Sequence, residues 1–374
     1  MSKVSIIKCS DYDKTTIYNS VKEAVERAGG MEFVRGKNVL LKPNLLAPSK
    51  PEQSVTTHPE VVRAAIKLAF ENGAITVAVG DSPGIGTQDI IYNMTGIKKV
   101  VEEEGAVIAN FREKIELENH DGKLVKKFEL AKAIEDADVV ISIAKLKTHG
   151  MTYYTGAMKN LFGTVPGILK PQFHYKFPDK SDFADMIVDL NIALKPDFAI
   201  IDGVMGMEGN GPRNGNPRFI GVIMASKDLT ALDATACRVV GIEPENILII
   251  KRGAERKTGK IIEDEIEICG ESIESIAVKN FKQVTREKDL LSLLPVKLPK
   301  FLNNIVKEIL LPKPYFIHKK CILCNECVKV CPVQPKALEN RDKKIYIDRK
   351  KCIRCFCCQE MCPVGAIEPR RFCR

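Results

Sequence analysis

Cys321-Ile-Leu-Cys324-Asn-Glu-Cys327-Val-Lys-Val-Cys331-Pro332 returns further along the chain as Cys352-Ile-Arg-Cys355-Phe-Cys-Cys358-Gln-Glu-Met-Cys362-Pro363. Both runs space four cysteines by two, two and three residues and close on Cys-Pro. A two-residue gap turns the chain tightly enough to point three thiolates inward at one metal centre, and the proline stops it from continuing as helix. Of 13 cysteines, ten follow residue 320. In a short secreted chain that number would suggest disulfides, but this chain has 374 residues and the clustering points to metal. Tetrahedral zinc also uses paired Cys-x2-Cys ligands. Eight cysteines in two identical four-ligand runs favour two [4Fe–4S] clusters instead, and with them a reducing, low-oxygen setting.

The tail resembles the bacterial two-cluster ferredoxins from about Pro314 to Pro369. That resemblance implies a small pseudo-symmetric β-α-β fold, for which Ala337 to Glu339, Lys344 to Ile347 and Ala366 to Glu368 are fitting elements. It also implies that the fourth cysteine of each run serves the other cluster. One cluster then takes Cys321, Cys324, Cys327 and Cys362, and the other Cys352, Cys355, Cys358 and Cys331. Cys357 is expected to pack beside the cluster and Cys373 to be a surface thiol, with ligand exchange or a reactive thiol as the alternative. Cys9, Cys237 and Cys269 read as small buried residues.

Upstream, 45% apolar and 28% charged residues describe an ordinary globular chain. Its length predicts two domains: an α/β domain over 1–279, a linker over 280–313 with a helix at Phe301 to Leu310, and the ferredoxin-like unit over 314–374. The first residues lack a signal peptide's apolar stretch, and no run of eighteen apolar residues could span a bilayer, so a cytoplasmic protein is expected. The net charge of +9 lies wholly in the tail, where 15 Lys and Arg after residue 311 face 6 Asp and Glu. Anionic cluster thiolates absorb much of that excess. What remains favours an acidic redox partner over nucleic acid.

Short apolar runs predict strands at Val4 to Ile7, Asn38 to Lys42, Ala74 to Val79, Ala106 to Ala109, Val139 to Ile143, Phe198 to Ile201 and Ile220 to Met224. Helical spacing predicts helices at Lys14 to Ala28, His58 to Phe70, Ile97 to Glu104, Ser181 to Leu194 and Leu229 to Val240. The alternation reads as α/β, with a largely parallel sheet flanked by helices. A short strand pair is expected around Glu265 to Cys269.

Polar stretches end several of these strands, where open α/β sheets place ligands. Gly80-Asp81-Ser82-Pro-Gly84-Ile-Gly86 offers amides and a hydroxyl to a phosphate, or forms a plain turn. It is neither GxGxxG nor a Walker loop, so nicotinamide and ATP gain no support. Lys145-Leu-Lys147-Thr-His149 reads as a basic loop that could bind an anion and move protons. Lys159 adds a cation, and Lys42 and Asn44 join the same site. The glycine-rich stretch from Gly203 to Arg218 reads as a loop, either one in which Arg213 and Arg218 hold a carboxylate or phosphate, with Asp202 and Glu208 as bases or acceptors, or a long structural one.

These stretches together resemble the family catalogued as domain of unknown function 362. The resemblance is carried by Lys42-Pro-Asn44, His58-Pro-Glu60, Gly80 to Gly84, Lys145 to His149, Met158 to Gly163, and Asp202 to Pro212 with Asp233. It implies an architecture and a ferredoxin partner domain, but no reaction. On the residues alone, the expectation is an oxidoreductase whose clusters relay electrons to or from a small-molecule site in the large domain, supplied by a ferredoxin or reductase. Lys145, Lys147, His149 and Lys159 are its candidate catalytic groups. FMN or FAD, held through Gly80, Asp81, Ser82, Gly84, Gly86, Lys42, Asn44 and Arg213, is the candidate organic cofactor. A non-enzymatic carrier or adaptor, or a structural or oxygen-sensing pair of clusters, is the alternative.

Overall fold

Successive residues of a strand point to opposite faces, so a strand covered on both sides has to be apolar throughout. The strands of the large unit, in a computed structural model that describes residues 1–83, 88–167, 169–284 and 312–370, follow that rule in the middle of the sheet, apart from buried polar residues such as Lys42, Lys145 and Asp202 that break it. They are β1 (Ser2–Lys8), β2 (Asn38–Pro43), β3 (Thr76–Val79), β4 (Val107–Ile108), a separate hairpin of β5 (Lys114–Glu118) and β6 (Lys127–Ala131), β7 (Val139–His149), β8 (Tyr153–Thr155), β9 (Phe198–Glu208), β10 (Asn216–Ser226) and β11 (Ile266–Gly270). Nine strands make one sheet in the order β11-β1-β10-β9-β7-β2-β3-β4, with β8 beside β7. The pairings of β1 with β11, β2 with β3 and β7, β3 with β4, and β7 with β9 are parallel. Those of β10 with β1 and β9, and of β7 with β8, are antiparallel, so the sheet is mixed but mostly parallel.

Alternation along β7 feeds two cores. Ile141 and Ile143 pack with Ile17 and Val21 of helix Lys14–Arg27 and with Val62 of helix Pro59–Glu71. Val140, Ala144 and Leu146 pack with Ile187 of helix Lys180–Leu194 and Leu232 of helix Leu229–Val239. Each helix starts on a side chain that accepts its free amides. Asp13 caps the first, Asp179 the third and Asp228 the fourth, while His58 caps the second ahead of Pro59.

Three expectations are corrected here. Lys145 to His149 is no loop: β7 runs through it, and all eleven of its residues are buried. Most of Gly203 to Arg218 belongs to β9 and β10 rather than to a loop. Gly206 lets those strands and β7 close up, because a Cβ there would sit 2.9 Å from the Leu146 carbonyl oxygen. The pair expected near Glu265 is a single strand, β11, parallel to β1 at the sheet edge.

The tail builds a second, smaller unit from β12 (Lys313–Phe316), β13 (Leu338–Arg341), β14 (Lys344–Ile347) and β15 (Ile367–Arg370), with short helices Glu326–Val330 and Cys357–Glu360. β12 pairs with β15 and β13 with β14, both antiparallel. Its halves repeat one another in backbone detail. Leu323 and Asn325 in the first half, and Arg354 and Phe356 in the second, all hold φ between 57° and 62°. That left-handed region costs a non-glycine residue about 1–2 kcal/mol, and a tight Cys-x2-Cys turn explains its use four times at matching positions. The helix expected at 301–310 lies outside the described residues, as does Cys373. Among the described residues, no helix is long and apolar enough to cross a membrane.

Candidate functional site

Strand order decides where a ligand can sit. From β2 the chain moves outward to β3 and β4, then returns to place β7 on the other side of β2. The carboxyl ends of β2 and β7 therefore diverge at a switch point, where open parallel sheets leave a crevice. A cleft opens there, with about 740 Å³ of space including its mouth. β2 contributes Lys42 and, just beyond it, Asn44; β3 is followed by Asp81 and Ser82; β7 contributes Lys147 and His149.

Lys42 is fully buried, and its ammonium is answered by Asp81 at 3.0 Å, Asn160 Oδ1 at 2.9 Å and the Pro43 carbonyl at 3.0 Å. A Cβ on Gly163 would collide with both the Asp81 carboxylate and the Lys42 amine, so glycine is required where that pair closes. Asn44 donates to the same Asn160 oxygen and accepts from Lys147, which also donates to the Val55 carbonyl. Burial, then Lys159 and Lys145, hold the Lys147 amine well below its ordinary value. The Lys159 ammonium makes no hydrogen bond or ion pair with the described residues. Burial lowers it too, against the pull of Glu360 and Cys357.

His149 Nδ1 accepts the amides of Met151 at 3.1 Å and Thr152 at 3.4 Å. Its proton therefore resides on Nε2, which faces Glu360 Oε1 at 3.4 Å. Burial and Lys159 push the imidazole far below its usual value, so it is neutral at pH 7. Glu360 comes from the ferredoxin-like unit. Burial raises its carboxyl to about 7 against Lys159 and Lys147.

Several members of this cleft were not singled out in the sequence. Lys170 donates to the Ser82 carbonyl, and burial pushes its amine down to about 8. His174 stacks on Phe183, its Nδ1 is buried with no hydrogen-bond partner among the described residues, and burial and Lys159 lower it to about 3. Neither carries a local signal, since only tertiary folding brings helix Lys170–Lys176 over the cleft. Glu360 had one: like Cys357, it falls among the tail's cysteine runs, on the short helix Cys357–Glu360. Cys357 lines the cleft, as do Met361 and Val330. Asp233 acts from behind. Its carboxylate accepts the Ala157 and Met158 amides and the Tyr154 hydroxyl, fixing the turn that carries Lys159 and Asn160.

Other predicted residues lie elsewhere. Lys145 is locked in a buried ion pair with Asp202 at 2.9 Å and donates to the Tyr12 hydroxyl, outside the cleft lining. The amides of Gly80, Asp81 and Ser82 are spent on the Leu41 carbonyl, the Tyr92 hydroxyl and the Gly163 carbonyl, so they form no phosphate cradle. Gly84 and Gly86 lie outside the described residues. Glu208 accepts the Lys282 amide and Arg218 donates to the Lys279 carbonyl, so both serve the chain itself.

Arg213 lies outside the cleft lining and donates to the Met361 carbonyl at 3.0 Å, while Asn214 donates to the Gln359 carbonyl. The turn between β9 and β10 thereby docks the helix Cys357–Glu360. Burial lowers the Arg213 guanidinium against the pull of Cys362 and Cys324. A cation so close to thiolates favours the more negative redox state. Arg213→Gln is expected to lower the midpoint potential of the adjacent cluster by on the order of tens of millivolts. Potentiometric titration followed by electron paramagnetic resonance reads this, and unchanged potentials for both clusters would refute it.

The cysteines of the tail gather in two apolar cavities. One is lined by Cys321, Cys324, Cys327 and Cys362 with Phe316, Ile345 and Ile367. The other is lined by Cys331, Cys352, Cys355 and Cys358 with Leu338, Ile347 and Phe356. Four thiols in a greasy enclosure suit an iron–sulfur cube, whose potential depends on exclusion of water.

The chain matches the family described as Domain of unknown function (DUF362) over residues 39–238 and a 4Fe-4S dicluster domain over residues 313–363. It is 36% identical to the Thylakoid-associated protein sll1697 of Synechocystis sp. over 250 residues, covering 66% of this chain and 77% of that protein. Among solved structures, the lactate racemase apoprotein from Thermoanaerobacterium thermosaccharolyticum is similar at 15% identity and a TM-score of 0.40, over 61% of this chain and 54% of that one. A Thermotoga maritima protein is similar at 13% identity and a TM-score of 0.36, over 62% and 60%.

Proposed function

This chain belongs to the family described as Domain of unknown function (DUF362) and carries a 4Fe-4S dicluster domain that gives it an iron–sulfur electron-transfer role, and from that premise we propose that it is an oxidoreductase acting on an anionic small molecule bound in the cleft between its two units. In this reading Cys321, Cys324, Cys327 and Cys362 hold one [4Fe–4S] cluster and Cys331, Cys352, Cys355 and Cys358 the other. The two cavities with those linings support the assignment. When bound, the clusters supply or accept electrons singly.

The observation that carries the reading is a shared wall. Cys357, Glu360 and Met361 line the cleft, and they are interleaved in sequence with Cys358 and Cys362, which line the cluster cavities. A molecule in the cleft therefore rests against the segment that holds both clusters. The chain's own residues then bind the charge and manage protons. Lys159 faces the ligand with no hydrogen bond or ion pair to another described residue, Lys42 and Lys147 fix the floor through Asn160 and Asn44, and His149 presents an N–H from Nε2. Lys170, at about 8, is poised to give up a proton near neutral pH. An acidic redox protein in the cytosol would deliver electrons to the exposed lysines of the tail, such as Lys319 and Lys320.

The test uses anaerobic, cluster-loaded full chain reduced with dithionite and mixed with the small-molecule fraction of a cell extract. Reoxidation of the clusters should slow by roughly tenfold or more in Lys159→Gln, a loss of 1.4 kcal/mol or more, while the cluster spectrum stays unchanged. Equal rates in the variant and the wild type would sink the reading. The rate should also fall as pH rises through about 8. Below that value Lys170 is an ammonium, drawn up by Asp81 and pushed down by burial, Lys42 and Lys159; above it the positive charge is gone.

A further inference from the structure

Charge in a buried cleft has to be balanced, since an uncompensated ion away from water is costly. Four amines line this one, those of Lys42, Lys147, Lys159 and Lys170, against two carboxylates, Asp81 and Glu360. Asp81 is consumed by Lys42. The acceptors of Lys147 are the neutral oxygens of Asn44 and Val55, that of Lys170 is the Ser82 carbonyl, and Lys159 has none among the described residues. Glu360 draws on Lys159 and Lys147, and Asp81, already paired with Lys42, is the carboxylate that draws on Lys170.

We propose that the cleft takes a compact ligand with two negative charges, a phosphate ester or a dicarboxylate, centred on the Lys159 ammonium. The proposal rests on the cleft being the working site described above. Lys159 is central because its charge is felt all round: by Lys147 and His149 on β7, by Lys170 and His174 on the overlying helix, and by Glu360 on the opposite wall. Both imidazoles are held neutral, so they donate or accept hydrogen bonds without adding charge. The His174 Nδ1, in a residue only 5% exposed and without a partner among the described residues, is a polar atom left for something else. Phe162 and Met361 give the cleft an apolar side for the body of the ligand. A dianion would also draw protons back onto amines that burial has weakened, so binding should be accompanied by proton uptake.

Calorimetry on oxidised, cluster-loaded full chain tests this without any turnover. The probes are inorganic phosphate, succinate and acetate, each in two buffers of different ionisation enthalpy. Phosphate or succinate should bind roughly tenfold or more tighter than acetate, with proton uptake. Preference for phosphate identifies a phosphate ester, and preference for succinate a dicarboxylate. Lys159→Gln should weaken the preferred dianion by about tenfold to a hundredfold, Lys159→Arg should restore most of it, and Lys99→Gln, on the exposed face of helix Ile97–Glu103, should change nothing. Retained iron and an unchanged cluster spectrum in Lys159→Gln certify its fold. Acetate binding as tightly as the dianions, no binding by any of the three, or a dianion affinity indifferent to Lys159→Gln overturns the proposal. Should dianion binding hold while extract reoxidises wild type and variant equally, only the oxidoreductase reading fails. Should reoxidation depend on Lys159 while the dianions show no preference, only the charge assignment fails.

Discussion

Cys362→Ala is expected to strip iron from the cavity whose three other thiols belong to the first cysteine run, leaving the cluster served by Cys352, Cys355 and Cys358. Cys362 stands last in the second run but lines the cavity of Cys321, Cys324 and Cys327, while Cys331 crosses the opposite way. Iron should fall from about eight to about four per chain, and Cys362→Ala should share its spectral change with Cys321→Ala rather than with Cys352→Ala. The structural cost should be large as well. Cys362, Cys358 and Cys327 sit in the small unit's own core beside Phe316, Leu338, Ile345 and Ile367, and with so little else buried there, cluster binding is folding energy. Helix Cys357–Glu360 is the wall of the cleft, so losing its anchor should also loosen the dianion site. Matching iron and resonance losses in Cys362→Ala and Cys352→Ala would mean that each run serves its own cluster.

Local patterns were legible and long-range ones were not. The cysteine runs could be read because their ligands are closely spaced and backbone geometry alone directs three thiols together. Val139 to Ile143 could be read as a strand because its apolar run signals burial on both faces. Its continuation through His149 could not, because a lysine inside a sheet is tolerable only if its partner is known. Asp202 lies on β9, paired in register with Lys145, and nothing near Lys145 in sequence reveals that. The β5–β6 hairpin carries a readable signal in the alternation of Lys114-Ile-Glu-Leu-Glu118. The cleft draws on β2, β3, β7, helix Lys170–Lys176 and the ferredoxin-like tail, so the strand-end residues Lys42, Asn44, Asp81, Lys147, His149 and Lys159 could be proposed as site residues, but Lys170, His174 and Glu360 could not be added to them. Arg213 misled because a guanidinium near glycines looks like an anion site, whereas here it docks a backbone carbonyl.

Lys145 offers the sharpest separation of a structural lysine from a working one. Asp202 is wholly buried, and its oxygens accept from Lys145 at 2.9 Å, the Tyr12 hydroxyl at 2.8 Å and the His58 amide at 2.9 Å. Tyr12 stacks on His58, with ring centroids 3.6 Å apart. The network thus ties β7 and β9 to the starts of the two helices on one face of the sheet. Removing one partner leaves the other charge stranded, so Lys145→Met or Asp202→Ala should each destabilise the large unit by about 3–5 kcal/mol, read as a lower urea midpoint with little change in slope. Replacing both at once, as Lys145→Met with Asp202→Leu, removes both charges and should recover much of that loss, since apolar substitutes for buried pairs are often neutral or better. Lys159→Gln should leave the midpoint within about 0.5 kcal/mol of wild type, because its ammonium makes no hydrogen bond or ion pair with the described residues. A Lys145 variant with an unshifted midpoint but abolished cluster reoxidation would return this residue to the catalytic role that its position in sequence first suggested.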